Sequence, residues 1–134
     1  TWIPACSNTF FLYDGFCYQF FIDEHVADAA EDVCKTSDSL LVSLNYPHQI
    51  SFLSGLVGNS NKKTFFVGLK WDDVNDVWFR SDGSPMYYSD FMWDDDEPKN
   101  KEENRCGTLN LETDGAVIRA ESCNTDHPFI CQKR

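Results

Sequence analysis

The chain has 134 residues, of which 42% are hydrophobic and 15% aromatic, which is enough apolar material for a packed core and excludes a disordered chain. The 22 Asp and Glu residues outnumber the 11 Lys and Arg residues, and the net charge of -11 argues against nucleic acid or an anionic membrane surface as a partner. No Gly-, Ser- or Pro-rich linker divides the chain, so we expect a single domain over residues 1–134.

The first half of the chain predicts one strand and two helices. Residues 16–22 are rich in aromatic side chains, which favours a strand. Residues 26–33 place apolar side chains at i, i+3, i+4 and i+7, so we expect an amphipathic helix with Asp23 as its N-cap. Pro47 suits the first turn of a second helix, and Gly58 is expected to end it.

The second half of the chain predicts short strands and long loops. The strands are expected at residues 65–69, 77–80, 107–111, 116–118 and 129–132. The cluster Ser81-Asp82-Gly83-Ser84-Pro85 predicts a turn, and the charged stretch at 94–103, which contains Pro98, predicts a loop. Two helices followed mainly by strands are typical of an α+β fold with antiparallel sheets.

The cysteines predict a disulfide framework. Their number is even and no Cys-x-x-Cys pair occurs, which argues against the common structural zinc sites. Disulfides persist in oxidising compartments, so we expect a secreted protein or the extracellular domain of a membrane protein. No apolar run reaches the roughly 18 residues that cross a bilayer, so we expect no membrane insertion by this segment. Spacing alone leaves the pairing open for Cys6, Cys17, Cys34, Cys106, Cys123 and Cys131.

Several short motifs stand in order along the chain and together resemble one family. The stretch Phe66-Val67-Gly68-Leu69 resembles a Trp-Ile-Gly-Leu signature, and Trp78 with the following turn cluster resembles a Trp-x-x-Ser-Asp-Gly-Ser-Pro hairpin. Further matches are Cys34 at the end of the first helix, Tyr88, Trp93, Glu97-Pro98, Cys123 and the closing Pro128-Phe129-Ile130-Cys131. In this order, from Cys6 to Cys131, the motifs resemble the long, six-cysteine form of the C-type lectin-like domain family.

The resemblance implies the fold and the disulfide pairing. The fold would have two helices packed on small antiparallel sheets with long loops, stapled by disulfides. The implied pairs are Cys6–Cys17, Cys34–Cys131 and Cys106–Cys123. The second pair would join the first helix to the last strand. On the chain-entropy model, closing a loop of about 100 residues contributes roughly 4 to 5 kcal/mol.

Many members of this family bind sugars through a calcium ion, and the resemblance implies where its ligands would lie. Glu97 matches the Glu of the family's Glu-Pro-Asn motif, whereas Lys99 stands at the Asn position and Asn100 comes one residue late. A further ligand would precede the next cysteine, where this chain has Glu103 and Asn104. Calcium takes six to eight oxygen ligands, so each replacement weakens the site.

The last part of the family's calcium motif is absent from the chain. Ile118-Arg119-Ala120 stands where the Trp-Asn-Asp triplet would lie. Arg and Lys have no acceptor atom and repel a cation. We therefore expect no calcium, no other metal and no cofactor at this position. We expect instead that Lys99 or Arg119 pairs with Glu97 or Glu103 and holds the loop by charge.

Two groups of acidic residues raise the question of an auxiliary cation site. Asp72, Asp73 and Asp76 form the first group, and residues 94–96 form the second. Their spacing does not align cleanly with the loops that hold auxiliary calcium in some family members. A solvated acidic face is therefore the favoured interpretation of both groups.

The sequence argues against an enzyme. Nothing places any of the three histidines, His25, His48 and His127, beside a reactive serine. The cysteines are expected to be bridged, which leaves no thiolate nucleophile. Acidic residues are so abundant that a pair of carboxylates carries no catalytic signal.

The favoured function is therefore calcium-independent recognition of a ligand through the long charged loop. A protein partner is the favoured ligand. Phe91 and Trp93 are aromatic anchors for such an interface, although Trp93 is better explained as a core residue. The alternative is a carbohydrate, bound without calcium or through a non-standard cation site. The candidate ligand-binding residues are Glu97, Lys99, Asn100, Glu103, Asn104 and Arg119.

Overall fold

The computed structural model describes residues 6, 9–86, 93–99, 101–113 and 115–134. Two helices lie in these residues, α1 at Ala27–Lys35 and α2 at Pro47–Val57. The strands are β1 Phe11–Tyr13, β2 Phe16–His25, β3 Leu40–Leu41, β4 Thr64–Asp72, β5 Val77–Arg80, β6 Pro85–Met86, β7 Cys106–Glu112, β8 Gly115–Glu121 and β9 His127–Lys133. The predicted α+β fold is confirmed.

The sheet is built around β9 and β4 in its centre. Its main path runs β1-β2-β9-β4-β5-β6, and β3 pairs with β9. A second branch leaves β4 through β7, which pairs with β8. The strand pairs are antiparallel except for the parallel contact of Phe66 in β4 with Phe129 in β9. This branch brings β8 to the long loop, because Ile118 of β8 forms a bridge with Trp93.

Both helices form where the sequence predicts them, but the predicted N-cap of α1 is not observed. The prediction of Asp23 was wrong, because β2 extends to His25 and the helix cap is Val26, whose side chain makes no capping hydrogen bond. The amide of Ala27 instead donates to the carbonyl of Cys123, 3.0 Å away. Pro47 opens α2 as expected. Neither described helix has the length and hydropathy of a membrane span.

The larger part of the core lies between α2 and the sheet. Ile50 and Leu53 of α2 are buried with Phe65 of β4, Trp78 of β5 and Ile118 of β8. Burying a large aliphatic side chain fully contributes about 1.5 to 3 kcal/mol. Because Ile118 belongs to this core, the strand that carries Arg119 has a fixed position.

The disulfides have the predicted pairing. Cys34–Cys131 joins α1 to β9 within a second buried cluster that includes Ala30, Phe66 and Phe129. Cys106–Cys123 joins β7 to the segment after β8, and Cys6–Cys17 ties the start of the chain to β2. No cysteine is free. The covalent links therefore fasten the start of the chain to β2, α1 to the central strand β9, and the two sides of the β7–β8 branch to each other.

Gly68 in β4 lies where two backbone segments approach closely. A Cβ atom at this position would stand 1.8 Å from Oγ of Ser81 and 2.5 Å from the carbonyl oxygen of Leu41. The amide of Gly68 donates to the carbonyl of Val42 at 2.7 Å, and its carbonyl accepts from the amide of Ser81 at 2.9 Å. The glycine therefore allows β4, β3 and the turn after β5 to pack together.

We predict that Gly68→Ala and Gly55→Ala change stability in opposite directions. The first substitution overpacks the contact with Leu41 and should lower the free energy of unfolding by about 1 to 3 kcal/mol. At Gly55 of α2 a Cβ meets nothing within 4 Å, so alanine should raise it by about 0.5 to 1 kcal/mol. Denaturant unfolding with the disulfides intact measures both. Equal effects of the two substitutions would contradict the close approach at Gly68.

Candidate functional site

The long loop joins the sheet beside β8. Trp93 forms a parallel bridge with Ile118, and the amide of Asp94 donates to the carbonyl of Ile118 at 3.0 Å. The indole of Trp93 packs edge-on against buried Trp78, with ring centroids 5.3 Å apart. Trp93 thus packs against the core, as expected. Phe91 and Tyr88, the other aromatic residues that the sequence singles out here, lie outside the described residues.

Arg119 binds two carboxylates at the base of the loop. Its Nε atom lies 2.7 Å from Oδ2 of Asp94, and its Nη2 atom lies 2.8 Å from Oε1 of Glu112. The nearby guanidinium holds the pKa of Asp94 below its ordinary value, and Asp94 in turn raises the pKa of Arg119. The expectation that Arg119 would pair with Glu97 or Glu103 was wrong, because β8 aims its side chain at the loop entrance and at β7.

Glu97 binds backbone amides. Its Oε1 atom accepts from the amide of Ala120 at 2.9 Å and from the amide of Lys99 at 3.3 Å. A turn precedes it, in which the amide of Glu97 donates to the carbonyl of Asp94 at 3.0 Å. The carboxylate therefore attaches the loop to β8 through a strand amide, rather than through the ion pair with Lys99 or Arg119 that the sequence suggested.

The remaining part of the loop is tied to itself and to the β4–β5 turn. Nδ2 of Asn104 donates to the carbonyl of Lys99 at 3.2 Å. Nη1 of Arg105 lies 3.2 Å from Oδ2 of Asp73. Nζ of Lys101 lies 4.3 Å from the centroid of the Trp71 ring in β4. We call residues 93–99 and 101–105, the turn residues 72–76 and Arg119 the long-loop surface. Asn100, a candidate residue, lies outside the described residues.

The residues present do not fit the family's calcium site. By the motif resemblance, Arg119 and Ala120 stand at two ligand positions, where they supply a guanidinium and a methyl group. One oxygen of Glu97 already accepts hydrogen bonds from two amides. Among the described residues, no group of three or more His, Cys, Asp or Glu could hold a metal ion. A cation placed here would meet a fixed positive charge.

The acidic group at 72–76 shapes a turn. Oδ1 of Asp72 accepts from the amides of Val74 and Asn75 at 3.0 and 3.2 Å, and Oδ2 accepts from the Asn75 side chain at 2.7 Å. The bond from the Asn75 side chain, together with those from the two backbone amides, lowers the pKa of Asp72. Asp73 is the partner of Arg105. The turn leaves Val74 at its tip with 88% of its surface exposed. In the second acidic group, the carboxylate of Asp94 forms an ion pair with Arg119. These contacts account for the carboxylates of Asp72, Asp73 and Asp94 without a cation.

Sequence reasoning missed three residues of this surface. Asp94 was considered only as part of an acidic run, and Glu112 and Val74 were not singled out. The pairing of Arg119 with Glu112 depends on the β7–β8 register, in which Glu112 opposes Gly115 and Thr108 opposes Arg119. Glu112 thus lies four residues along β7 from the residue opposite Arg119, so neither local spacing nor direct cross-strand pairing indicates this ion pair.

The three histidines have separate neighbours and do not form a catalytic group with one another. Nδ1 of His48 lies 2.6 Å from the hydroxyl of Tyr13, whereas His25 packs edge-on against Phe129. His127 lies on β9, with Nε2 3.7 Å from Glu121. The fold and the site together define a disulfide-bonded recognition domain with a preformed loop surface.

The chain belongs to the C-type lectin domain family. The family model described as "Lectin C-type domain" matches residues 23–133. Proteins with this fold are recognition modules and not enzymes, which confirms the expectation of a non-catalytic domain. Ligand recognition is therefore the activity that the family assigns to this chain.

Relatives with the same fold occur alone and within much longer proteins. Human C-type mannose receptor 2 is 29% identical over 119 residues, covering 88% of this chain and 8% of the receptor. Snaclec rhinocetin subunit alpha of Bitis rhinoceros is 26% identical over 137 residues, covering 97% of this chain and 82% of that protein. The structure of human lithostathine superposes with a TM-score of 0.85 at 23% identity, covering 100% of this chain and 96% of the other, and shares the fold.

We predict that Arg119→Met loosens the attachment of the long loop. Amide exchange at Asp94, Glu97 and Ala120 should accelerate by up to about fivefold at neutral pH, because so exposed an ion pair contributes at most about 1 kcal/mol. Hydrogen exchange read by NMR measures this. Arg105→Met, which removes the pair with Asp73, is the control and should leave the Ala120 amide unchanged.

The same exchange experiment has a predicted pH dependence. The pKa of Asp94 is lower in the folded protein than the ordinary 3.8, so the stabilisation is complete above 3.8 and is lost as the pH falls through the lowered value. Wild-type protection factors near Asp94 should therefore drop at acidic pH, and those of Arg119→Met should drop less. Parallel curves for the two proteins would contradict the role given to Arg119.

Proposed function

We propose that this domain recognises a protein partner through the long-loop surface and does so without calcium. The observation that carries the proposal is the double ion pair of Arg119, which occupies the place of a calcium ligand and binds Asp94 and Glu112. The loop is therefore held in shape before any ligand arrives. Binding to a preformed surface avoids the entropy cost of ordering a loop.

The exposed side chains of the surface fit a protein better than a sugar. Val74 supplies an exposed apolar tip, and Arg105 is tied to the same turn through Asp73. Lys99 and Glu103 add exposed charges of both signs to the long-loop surface. An apolar centre with a polar rim is the usual anatomy of a protein interface. Among the candidate residues, we assign direct contact to Lys99, Asn100 and Glu103, and support of the loop to Glu97, Asn104 and Arg119.

The disulfides favour an extracellular setting for this recognition, either in a secreted protein or in one domain of a larger receptor. We propose that residues 1–134 form one such domain. The net charge of -11 weighs against nucleic acid as the partner. It favours a partner whose own surface carries positive charge.

A carbohydrate is the second candidate ligand, because one relative is named a mannose receptor. The hydroxyl-binding groups would be Asn100, Glu103 and Asn104. Such binding would use direct hydrogen bonds, without an ion between protein and sugar. An array experiment separates the two candidates.

We predict that the domain binds a protein target in the presence of chelator. The domain would be applied to an array of purified extracellular proteins and to a glycan array, both with EGTA. Saturable binding to a protein, unaffected by free monosaccharides, is the expected result. Specific glycan spots with no protein target would overturn the proposal in favour of the carbohydrate.

Substitutions in the domain test whether the long-loop surface contacts the protein target found in this way. Lys99→Glu, Glu103→Lys and Val74→Ser should each weaken binding by about tenfold or more, as central interface residues do. Lys35→Glu makes the same charge change at an exposed residue of α1, outside the long-loop surface, and should preserve binding. Equal affinities for Lys99→Glu and Lys35→Glu would place the contact elsewhere.

A further inference from the structure

Two adjoining cavities form one groove beside β3, away from the long-loop surface. The larger has a volume of about 290 Å³ and lies between α1, β4 and β5, and the smaller has a volume of about 160 Å³ and reaches the end of β9. Leu40, Leu41 and Ser81 line both cavities. We call this feature the β3 groove. None of its lining residues belongs to the long-loop surface.

The floor of the β3 groove is apolar and partly exposed. Leu40 stands where the two cavities meet and is 47% exposed, although it is a large aliphatic residue in a strand. Phe79 lines the larger cavity, Phe16 lines the smaller, and both are half-buried. Exposed apolar surface within a concave feature is typical of a binding site.

The rim of the β3 groove is basic although the protein is strongly acidic. Five of the 11 Lys and Arg residues line it, against two acidic residues, Glu31 and Asp82. The five are Lys35, Lys70, Arg80, Lys133 and Arg134. Nζ of Lys70 lies 2.6 Å from Glu31, so its charge is balanced locally. The net charge of -11 is therefore unevenly distributed, and the groove is a basic region.

Internal contacts hold the walls of the β3 groove in place. Arg80 is 8% exposed and donates to the carbonyls of Leu44 and Pro85, which fixes the turn after β5. The amine of Lys133 donates to the carbonyl of Ser37 at 3.1 Å and lies 4.4 Å above the ring of Phe10. The close approach at Gly68 closes the base. A ligand would meet a largely preformed site.

We propose that the β3 groove binds an extended acidic segment of a protein partner. An apolar side chain of the segment would cover Leu40, and carboxylates on either side would face Lys35 and Lys133. Charge complementarity selects this occupant, because five of the 11 basic residues line the groove against two acidic ones. A long polyanion such as nucleic acid would extend over the acidic remainder of the surface and be repelled.

The test uses synthetic peptides and does not need the natural partner. A short peptide with a central leucine flanked by glutamates would be titrated into the isotopically labelled domain and followed by NMR. Saturable shifts at Leu40, Gly68 and Ser81 that weaken with added salt are expected. The same peptide with lysines for the glutamates, or with glycine for the leucine, should bind at least tenfold more weakly.

Matched variants decide whether the groove itself binds the peptide. Lys35→Glu and Leu40→Ser should each weaken binding about tenfold, whereas Lys63→Glu and Leu12→Ser, at exposed residues outside the groove, should not. Melting curves would show that each variant is folded. The absence of shifts, shifts confined to other surfaces, or equal binding by the lysine peptide would overturn the proposal. None of these results depends on the partner of the long-loop surface.

Discussion

The guanidinium of Arg119 is the contact on which the attachment of the long-loop surface depends. It connects the entrance of the long loop, through Asp94, to the end of β7, through Glu112. Glu97 adds a second connection by accepting the amide of Ala120, the residue that follows Arg119 in β8. Both connections end on adjacent residues of one strand. The position of β8 therefore sets the position of the loop.

The strand β8 is itself held in place by the core, so core packing determines the position of the long-loop surface. Ile118 is fully buried and bridges to Trp93, which packs on Trp78. The disulfide Cys106–Cys123 fastens β7 and the segment after β8 to each other. A sheet branch with these attachments can hold a long loop without a metal ion. The β3 groove depends in the same way on β4, where Gly68 allows the neighbouring segments to meet.

Much of the fold could be predicted from the sequence, and the exceptions have physical reasons. Apolar spacing located α1, and Pro47 located the start of α2. The N-cap at Asp23 was wrong because β2 continues to His25 and because a distant carbonyl, that of Cys123, satisfies the first helical amide. The strands β1, β3 and β6 have two or three residues each, too few for periodicity to show them. The disulfide pairing came from the resemblance alone and is confirmed.

The candidate site was predicted in part. The motif comparison placed Lys99, Arg119 and Ala120 at the positions of calcium ligands, and their chemistry argued against the ion. The actual partners of Arg119 depend on the approach of the loop at Asp94 and on strand register at Glu112, and neither is encoded by local spacing. The exposure of Val74 became visible only in the structure, because it depends on the turn in which Asp72 accepts two backbone amides.

Calorimetric titration of calcium into the chelator-treated protein, with melting curves in calcium and in EGTA, tests the central claim most directly. If Arg119 takes the place of the ion, the titration will show no saturable heat, and the two melting temperatures will agree. A one-site isotherm with a higher melting temperature in calcium would show that the folded protein binds the ion, and would contradict the account.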